Sequence, residues 1–373
     1  MPNAVLFVDN LRIGGFQRLA LDQAYGLSGL GYETTIYILD DIPLKNAASF
    51  INLESELVSN FQIKILSLGR SRGVQLRKLF GIALKGNSDW LVLSHSLRAT
   101  FLISLVNLKL GNRLKVISTI HQLPTLSAPR QRFKRFIYAQ FSWRLLAYSV
   151  AVKGDWDERV RHNFIFKNLV ARKKIEVMRN GIYLDRLPPI SGHTIVKSPP
   201  RLVYLGRNTS WKGVSTFLEI ALSPQLRDFQ LLFMVPNAGD INLSLVDNEN
   251  SKRVSILAGK TISSYVPRQG DVHLYPANYG AAAKYVESVS LNCLELACVG
   301  IPTLLSHGGL STWPDLIQFN IFHETDWSNR DEVVNKILRI SNLRYEPETI
   351  KALASKIDIN NQLRSLVELS GCG

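Results

Sequence analysis

The sequence predicts an α/β protein built from two doubly wound domains. Short apolar runs rich in β-branched residues alternate with segments of helix length along the 373 residues. Continuous apolar strands of this kind are typical of parallel sheets that helices cover on both faces. The alternation stops at a stretch rich in breakers, residues 187–200, and restarts after it. A breaker-rich segment between two such series indicates a linker between two domains.

The first series indicates a domain over residues 1–190. Its opening strand leads into a helical run, and the strand-like runs lie at 5–8, 35–39, 63–66, 91–93 and 116–120. The second series indicates a domain over residues 198–356, with strand-like runs at 201–206, 231–235, 254–257, 272–275 and 303–305. Open parallel sheets bind ligands at the carboxyl ends of their strands, so the cleft between the two domains is the expected site.

The composition is that of an ordinary globular protein, with 46% hydrophobic and 20% charged residues. The N-terminus has no basic region ahead of a long apolar run, which indicates a first strand and not a signal peptide. No segment has 18 uninterrupted apolar residues, so we expect no membrane span. The three cysteines lack metal-ligand spacing, and Cys293 and Cys298 fit small helix residues in a reducing compartment. We therefore expect a cytoplasmic protein.

The formal charge of +14 lies entirely in the first half of the chain. Residues 1–190 hold 27 Lys and Arg against 13 Asp and Glu, whereas residues 191–373 hold 17 of each class. Such a one-sided field favours an anionic partner. The candidates are an anionic membrane face, an anionic glycolipid and a nucleic acid. A basic surface that serves only solubility is the alternative.

A basic amphipathic segment follows Pro129, which can occupy the first position of a helix. Its cations are interleaved with aromatic residues such as Phe133 and Phe136. Such a helix can lie on an anionic membrane surface, at the inner face of the cell membrane, or contact an acceptor. It can equally pack its aromatics into the domain and leave the cations in water. The cations concerned are Arg130, Arg132, Lys134 and Arg135.

The carboxylates Glu287 and Glu295 are the most informative feature of the sequence. The second stands within an apolar, helix-like run that stops at Gly300. A buried carboxylate is costly unless it has a partner, and hydroxyls of a bound sugar or ribose can donate hydrogen bonds to it. The free N–H groups in the first turn of this helix would suit a phosphate. These features together predict a nucleotide-sugar pocket.

Two strand-to-helix loops, one in each domain, have the chemistry of phosphate sites. Gly14-Gly15 follows the first strand, and adjacent glycines there let a ligand approach the backbone. This loop is not the G-x-G-x-x-G dinucleotide fingerprint. In the second domain Arg207 and Lys212 bracket a loop that leads into a helix and form a candidate diphosphate clamp. A plain strand-to-helix turn and two solvated cations are the respective alternatives.

Two histidines end strand-like runs of the first domain. His121 follows the run 116–120, where a polar residue can point into the cleft. Contact with a transferred sugar and a purely structural role are both open for it. His95 holds a similar place after the run 91–93. Neither is accompanied by a Ser or Cys nucleophile motif or by metal-ligand spacing, which disfavours hydrolases and zinc enzymes.

In the order of these motifs the chain resembles the group 1 glycosyltransferases, family 4 of the retaining enzymes, which have the GT-B fold of two facing Rossmann-like domains. The most specific match is the family's Glu-x7-Glu motif. The matching segments, in chain order, are Gly14-Gly15-Phe-Gln-Arg18, Ala147-Tyr-Ser-Val-Ala-Val-Lys153, Asn180-Gly-Ile-Tyr183, Gly206-Arg207 with Lys212-Gly213, Asp271-Val-His-Leu-Tyr-Pro276, and Glu287 with Glu295.

The resemblance implies a donor site for a UDP- or GDP-sugar. Arg207 and Lys212 would hold the donor diphosphate, Glu295 would bind the ribose hydroxyls, and Glu287 would contact the donor sugar. The family generally needs no metal, because such cations stabilise the leaving diphosphate. No cofactor is implied. The implied reaction is retaining transfer of a sugar to a glycan or a lipid-linked acceptor in bacterial cell-surface polysaccharide or lipopolysaccharide biosynthesis.

The same resemblance implies further roles. Gly14 and Gly15 would let the first domain approach the phosphates, and His121 would contact the sugar near the reacting carbon. The backbone near Ser290 and Leu291 would contact the sugar and phosphate. A terminal helix over about 357–370 would pack back on the first domain.

The chain departs from the family pattern at three places. Gln17 replaces an acidic residue, and Tyr183 replaces Asp. Ten residues separate Pro276 from Glu287, where the family normally has only a few. Two alternative functions therefore remain open. One is a nucleotide-sugar epimerase or phosphorylase-like enzyme of the same fold. The other is a basic, non-catalytic protein that binds nucleic acid or membrane, although no aromatic RNA-recognition signature supports nucleic acid.

Overall fold

The computed structural model divides the chain into two compact units. The first unit is formed by Met1–Tyr183 together with Ile359–Gly373, and the second by Leu184–Asp358. The described residues are 1–12, 14–40, 55–69, 71–86, 89–111, 114–120, 144–147, 175–188, 198–208, 212–242, 244, 246–260, 262–277 and 289–370.

The first unit is built on a seven-stranded sheet in which all described pairs are parallel, in the order β3-β2-β1-β4-β5-β6-β7. Its strands are β1 (Asn3–Val8), β2 (Glu33–Ile38), β3 (Lys64–Ser67), β4 (Leu91–Ser94), β5 (Lys115–Ile120), β6 (Arg144–Ala147) and β7 (Ile175–Val177). Its helices between these strands include α1 (Gly15–Gly29), α2 (Ser55–Asn60), α3 (Arg72–Lys85) and α4 (Leu97–Lys109).

Burial along the strands explains their places in this sheet. Every residue of β1 after Asn3 is buried, β2 alternates between buried and more exposed residues, and β3 has no buried residue. An inner strand covered on both faces must be apolar throughout, whereas a strand at the edge need not be. Phe7 and Val92 of the sheet pack with Leu79 of α3 and Ile103 of α4 in one apolar cluster.

The second unit has a six-stranded parallel sheet in the order β10-β9-β8-β11-β12-β13. Its strands are β8 (Arg201–Leu205), β9 (Gln230–Val235), β10 (Val254–Ala258), β11 (Val272–Tyr275), β12 (Thr303–Ser306) and β13 (Phe322–Thr325). Its helices are α5 (Val214–Ala221), α6 (Asn248–Ser251), α7 (Leu291–Cys298), α8 (Arg330–Ile340) and α9 (Pro347–Ile357). This order places a topological switch point between β8 and β11, where ligands of doubly wound sheets bind.

A buried ionic cluster closes the opposite, amino end of β8 and β11. The Asp271 carboxylate accepts hydrogen bonds from the backbone N–H and the guanidinium of Arg201, with distances of 2.5–3.2 Å. It also accepts from the Tyr265 hydroxyl at 2.5 Å and the Arg268 backbone N–H at 3.0 Å. A charge this buried needs such a full set of donors, which together tie the amino ends of both strands.

The last helix, α10 (Ile359–Ser370), belongs to the first unit and packs on α1. The backbone N–H of Ile359 donates to the carbonyl of Ile182 at 2.9 Å. The adjacent Tyr183 packs its ring against Tyr25 and Phe61, with ring centroids 5.4 Å apart in both cases. Tyr183, which stands where the resembled motif has Asp, is therefore part of an aromatic cluster in this unit. No helix within the described residues is long and apolar enough to cross a membrane.

The α/β class with two doubly wound sheets is confirmed. The apolar runs of the sequence did not predict β6, β7 or β13. β6 begins with a charged residue, Arg144, and β7 is three residues long. β13 carries His323 and Glu324 between its buried ends, which breaks the apolar run. The predicted runs therefore include the edge strands β3 and β10 but not the inner strand β6.

Candidate functional site

The carboxyl end of β8 is joined directly to the start of α7. The side-chain amide of Asn292 donates to the carbonyl of Leu205 at 2.8 Å. Gly206 follows with a φ of 149°, and a Cβ there would lie 3.3 Å from the Asn292 amide nitrogen. A side chain at this position would be strained by its φ and crowded by α7. The loop after β8 and the first turn of α7 therefore share one corner of the switch point.

The first turn of α7 is capped by Ser290. Its backbone is extended, and its hydroxyl accepts a hydrogen bond from the backbone N–H of Cys293 at 3.4 Å. Leu291, the first residue of the helix, is buried. The predicted contact residues Ser290 and Leu291 thus lie at a helix N-terminus, where backbone N–H groups and the helix dipole favour an anion.

Lys212 is a buried cation at the carboxyl ends of β8 and β11. Its ammonium group donates to the hydroxyl of Tyr275 at 2.6 Å and lies 4.8 Å from the centroid of the same ring. The next residue, Gly213, caps α5 with a left-handed φ of 71°. A Cβ on Gly213 would overlap the carbonyl oxygen of Pro276 and lie 2.9 Å from its carbon. Glycine is required here, and it lets the strand end and the helix start approach closely enough to seat Lys212.

Arg207 differs from Lys212 in its exposure. Its side chain is exposed, and its backbone carbonyl accepts a hydrogen bond from the Tyr204 hydroxyl at 2.9 Å. The two cations of the predicted clamp therefore combine one fixed charge with one that is free to reach an anion in solution. Residues 209–211 between them lie outside the described residues.

Glu295 is buried in α7, as its apolar surroundings predicted, and it has a partner within the protein. Arg186 donates from Nη2 to Oε1 of Glu295, and both residues are almost wholly buried. The partner that a buried carboxylate needs is therefore supplied at least in part by Arg186. Arg186 lies in a short 3-10 turn, Leu184–Arg186, far from α7 in sequence, so no local pattern reveals the contact.

Two buried histidines are neutral at ordinary pH. Burial, with a smaller effect of the nearby Lys212 charge, lowers the pKa of His273 to about 3. Its Nδ1 lies 3.2 Å from the Thr303 hydroxyl, and its Nε2 is buried without a partner among the described residues. Burial likewise lowers the pKa of His95 to about 3. Neither histidine is suited to carry a proton at neutral pH.

The glycine turn of the first unit leaves the N-terminus of α1 open. α1 begins at Gly15 with Gly14 as its cap, and a Cβ on Gly15 would meet no heavy atom of the described residues within 4 Å. Arg18 is buried and lies 3.9 Å from Asp22 one turn further along the helix. The turn is therefore able to admit a ligand, whereas Arg18 faces the interior of the unit.

A half-buried carboxylate also lies at the carboxyl edge of this unit. Asp9 follows β1 and accepts a hydrogen bond from the Ser96 hydroxyl at 2.9 Å. Burial raises its pKa, more than the Ser96 hydrogen bond lowers it. Asp9 was not among the residues predicted from the sequence, although a polar residue directly after an apolar strand is a usable signal.

Several predicted residues lie outside the part of the chain that the structure describes, and their roles stay predictions. These are His121, Glu287, Arg130, Arg132, Lys134 and Arg135. Among the described residues, no group of three or more His, Cys, Asp or Glu is placed to hold a metal ion.

The structure brings Arg207, Lys212, Ser290, Leu291 and Glu295 into one unit, with the first four at the carboxyl edge of β8 or the start of α7. Three residues of this region were missed. Asn292, Tyr275 and Arg186 each act through a partner distant in sequence. Only Asn292 had a local signal, as a polar residue in the first turn of an apolar helix.

No model of a protein family matches the chain, and no curated protein is significantly similar to it in sequence. Solved structures resemble it along its length. HepE of Anabaena, in complex with UDP and glucose, has a TM-score of 0.68 at 13% identity, with 99% of each chain covered. Sucrose-phosphate synthase of Thermosynechococcus elongatus has a TM-score of 0.64 at 14% identity, with 99% of this chain and 98% of that chain covered. WaaG, a glycosyltransferase involved in lipopolysaccharide biosynthesis, has a TM-score of 0.58 at 12% identity, with 99% of this chain and 100% of that chain covered. At these identities the likeness shows the fold, which is GT-B.

Proposed function

We propose that the protein is a glycosyltransferase that moves a sugar from a nucleotide-diphosphate donor to a glycan or lipid-linked acceptor. One observation carries the proposal most directly. The buried ammonium group of Lys212 and the first turn of α7 lie at the switch point of the second unit. A fixed cation beside a helix N-terminus suits a diphosphate, and this edge of a doubly wound sheet is where nucleotides bind. UDP bound to HepE, which has the same fold, supports the choice of ligand.

The residues divide the work of binding and leaving-group stabilisation. Lys212, held by Tyr275, and the exposed Arg207 neutralise the diphosphate, and this charge stabilisation requires no metal ion. The N–H groups after Ser290 and Leu291 contact sugar and phosphate. Glu295 accepts hydrogen bonds from the ribose. These assignments combine the geometry of the second unit with the resemblance to the family.

The proposed reaction is retaining. The bond between the anomeric carbon and the diphosphate oxygen breaks, and the acceptor oxygen bonds to the same carbon from the same face. The acceptor hydroxyl gives its proton to the leaving diphosphate. In this proposal Glu287 contacts the donor sugar, His121 contacts the sugar near the reacting carbon, and Gly14 and Gly15 admit the phosphates to the first domain.

We further propose a place for the reaction. The excess of basic residues in 1–190 suits an anionic acceptor or an anionic membrane surface. Arg130, Arg132, Lys134 and Arg135 would provide that contact from a cytoplasmic protein bound peripherally at the inner face of the membrane. The acceptor class that fits is a bacterial cell-surface polysaccharide or lipopolysaccharide precursor.

The test is product analysis with UDP- and GDP-sugars and a membrane lipid extract. We expect one donor to give equal amounts of free nucleoside diphosphate and glycosylated product, with the anomeric configuration of the donor kept in the product by NMR. Lys212→Met should abolish transfer. Lys336→Met is the matched control, because it removes a lysine of α8 whose ammonium group bonds the Glu324 carbonyl of β13.

Other outcomes would point elsewhere. An altered sugar without a glycosylated product would indicate an epimerase, and a sugar phosphate would indicate a phosphorylase-like enzyme. Binding to RNA that falls steeply with salt, without any donor turnover, would indicate a nucleic-acid-binding protein.

A further inference from the structure

The ion pair between Arg186 and Glu295 is buried on both sides. The side chain of Arg186 is 2% exposed and that of Glu295 is 7% exposed. The pair joins the turn Leu184–Arg186 to α7, the helix whose first turn forms part of the proposed donor site. The same region contains Cys298, and burial followed by the Glu295 charge raises the pKa of its thiol. The ion pair thus lies in a part of the unit that has little access to water.

Stability alone is a poor explanation for such a pair. Two charges lose their hydration when they are buried, and their attraction often does no more than offset that loss. Apolar residues of similar volume would often stabilise the fold as well or better. What an ion pair provides beyond this is a fixed direction, because the guanidinium presents its donors in a rigid planar fork.

The contact with Arg186 does not use up the acceptor capacity of the Glu295 carboxylate. Arg186 engages Oε1 of Glu295 through Nη2. A carboxylate has about four lone-pair sites, so it retains acceptor capacity for hydroxyl donors. An ionised carboxylate accepts and does not donate, which matches a pair of neighbouring hydroxyls on a ribose ring.

We propose that Arg186 is a positioning residue that holds Glu295 as a fixed, ionised acceptor for the ribose hydroxyls, and that the pair makes the site selective for ribose over 2′-deoxyribose. This proposal rests on the proposed function. A site built to accept a hydrogen bond from a hydroxyl rejects an analogue that lacks it, because the buried acceptor is then left unpaired. Without Arg186 the carboxylate is a buried charge without its counter-charge and loses its fixed place.

The second unit offers a matched control. The Arg201–Asp271 pair is also buried, with side-chain exposures of 9% and 0%. It ties the amino ends of β8 and β11, whereas Lys212 and Gly206 lie at the carboxyl ends. Loss of Arg201 should weaken the unit as loss of Arg186 does, without reaching the donor site.

The experiment is calorimetric titration with UDP and 2′-deoxy-UDP, and with GDP and 2′-deoxy-GDP in parallel. The wild-type protein should bind the ribonucleotide about 10-fold or more tightly than its deoxy analogue, as expected for a hydrogen bond to a charged group. Arg186→Met and Glu295→Gln should bind both forms with similar affinity. Arg201→Met should melt at a lower temperature and keep the wild-type preference.

Retention of the wild-type preference in Arg186→Met would overturn the positioning role, and equal binding of both forms by the wild-type protein would overturn the ribose contact. In either case the proposed donor site would stand, because a diphosphate still binds. Failure of every nucleotide to bind would overturn the proposed function itself. If Arg186→Met does not fold, the double variant Arg186→Met with Glu295→Gln buries no unpaired charge. It should show no preference, and a preserved preference would refute the proposal.

Discussion

Replacement of Gly213 by Ala tests the junction that seats Lys212. An L-residue in the left-handed conformation costs about 1–2 kcal/mol, and the φ of Gly213 is 71°. The added methyl group would also overlap the carbonyl of Pro276, which belongs to backbone and cannot rotate away. Crowding of a packed site costs about 1–3 kcal/mol. Gly213→Ala should therefore destabilise the second unit by about 2–5 kcal/mol.

Two other glycines of the unit separate these costs. Gly259 has a φ of 60°, but a Cβ there would meet only the Pro236 oxygen at an ordinary 3.7 Å. Gly259→Ala should therefore cost about 1–2 kcal/mol from its backbone conformation alone. A Cβ on Gly239 would meet no atom of the described part of the chain within 4 Å, and its φ is not positive. Gly239→Ala should change stability by less than about 1 kcal/mol, in the stabilising direction if at all.

Urea unfolding followed by hydrogen exchange in peptides of β8, β9 and β11 would report on this unit separately from the first. The expected order of destabilisation is Gly213→Ala, then Gly259→Ala, then Gly239→Ala. Gly213→Ala should also weaken UDP binding, because Lys212 is its neighbour. If Gly213→Ala lowers the free energy of unfolding no more than Gly259→Ala does, the prediction is wrong, because the contact with Pro276 would then have no energetic effect.

Three further predictions follow from single contacts. Asp271→Asn should destabilise the second unit by about 3–5 kcal/mol in urea unfolding, because it leaves the Arg201 cation buried without its counter-charge; a cost below about 1 kcal/mol would contradict this. Tyr275→Phe should lower the affinity for UDP in calorimetry with little change in melting temperature, because it frees Lys212 from its 2.6 Å hydrogen bond, and unchanged affinity would refute a positioning role for the hydroxyl. The folded pKa of His273 is about 3 against an ordinary 6.5, so the unfolded state alone takes up a proton as the pH falls from 7 to 5. That proton should cost about 2 kcal/mol of stability, and His273→Asn should lose that part of the pH dependence.

The sequence was sufficient for the fold class because most strands of both sheets are apolar runs that can be recognised on their own. β1 and β9 are apolar almost throughout, since helices cover both faces of the sheet, and such runs need no partner to be recognised. β13 was missed because an edge strand tolerates residues such as His323 and Glu324.

The site was predictable to a smaller extent. Lys212 was singled out because two cations bracket a loop between a strand and a helix, and Glu295 because a carboxylate within an apolar helix needs a partner. Their partners Tyr275 and Arg186 were not found, because those contacts are made by the tertiary fold and leave no periodic pattern. Residues whose role is to hold another residue are therefore the part of a site that sequence reasoning reaches last.

The proposed glycosyltransferase function depends most on a nucleoside diphosphate site in the second unit. The direct measurement is a thermal-shift panel with UDP, GDP, ADP, CMP and dTDP on the wild-type protein and on Lys212→Met. A ligand at about 100 times its Kd stabilises the folded state by roughly 2.7 kcal/mol. We predict that one nucleoside diphosphate selectively raises the melting temperature and that Lys212→Met abolishes this rise. No shift with any nucleotide, in a protein that melts cooperatively, would contradict it.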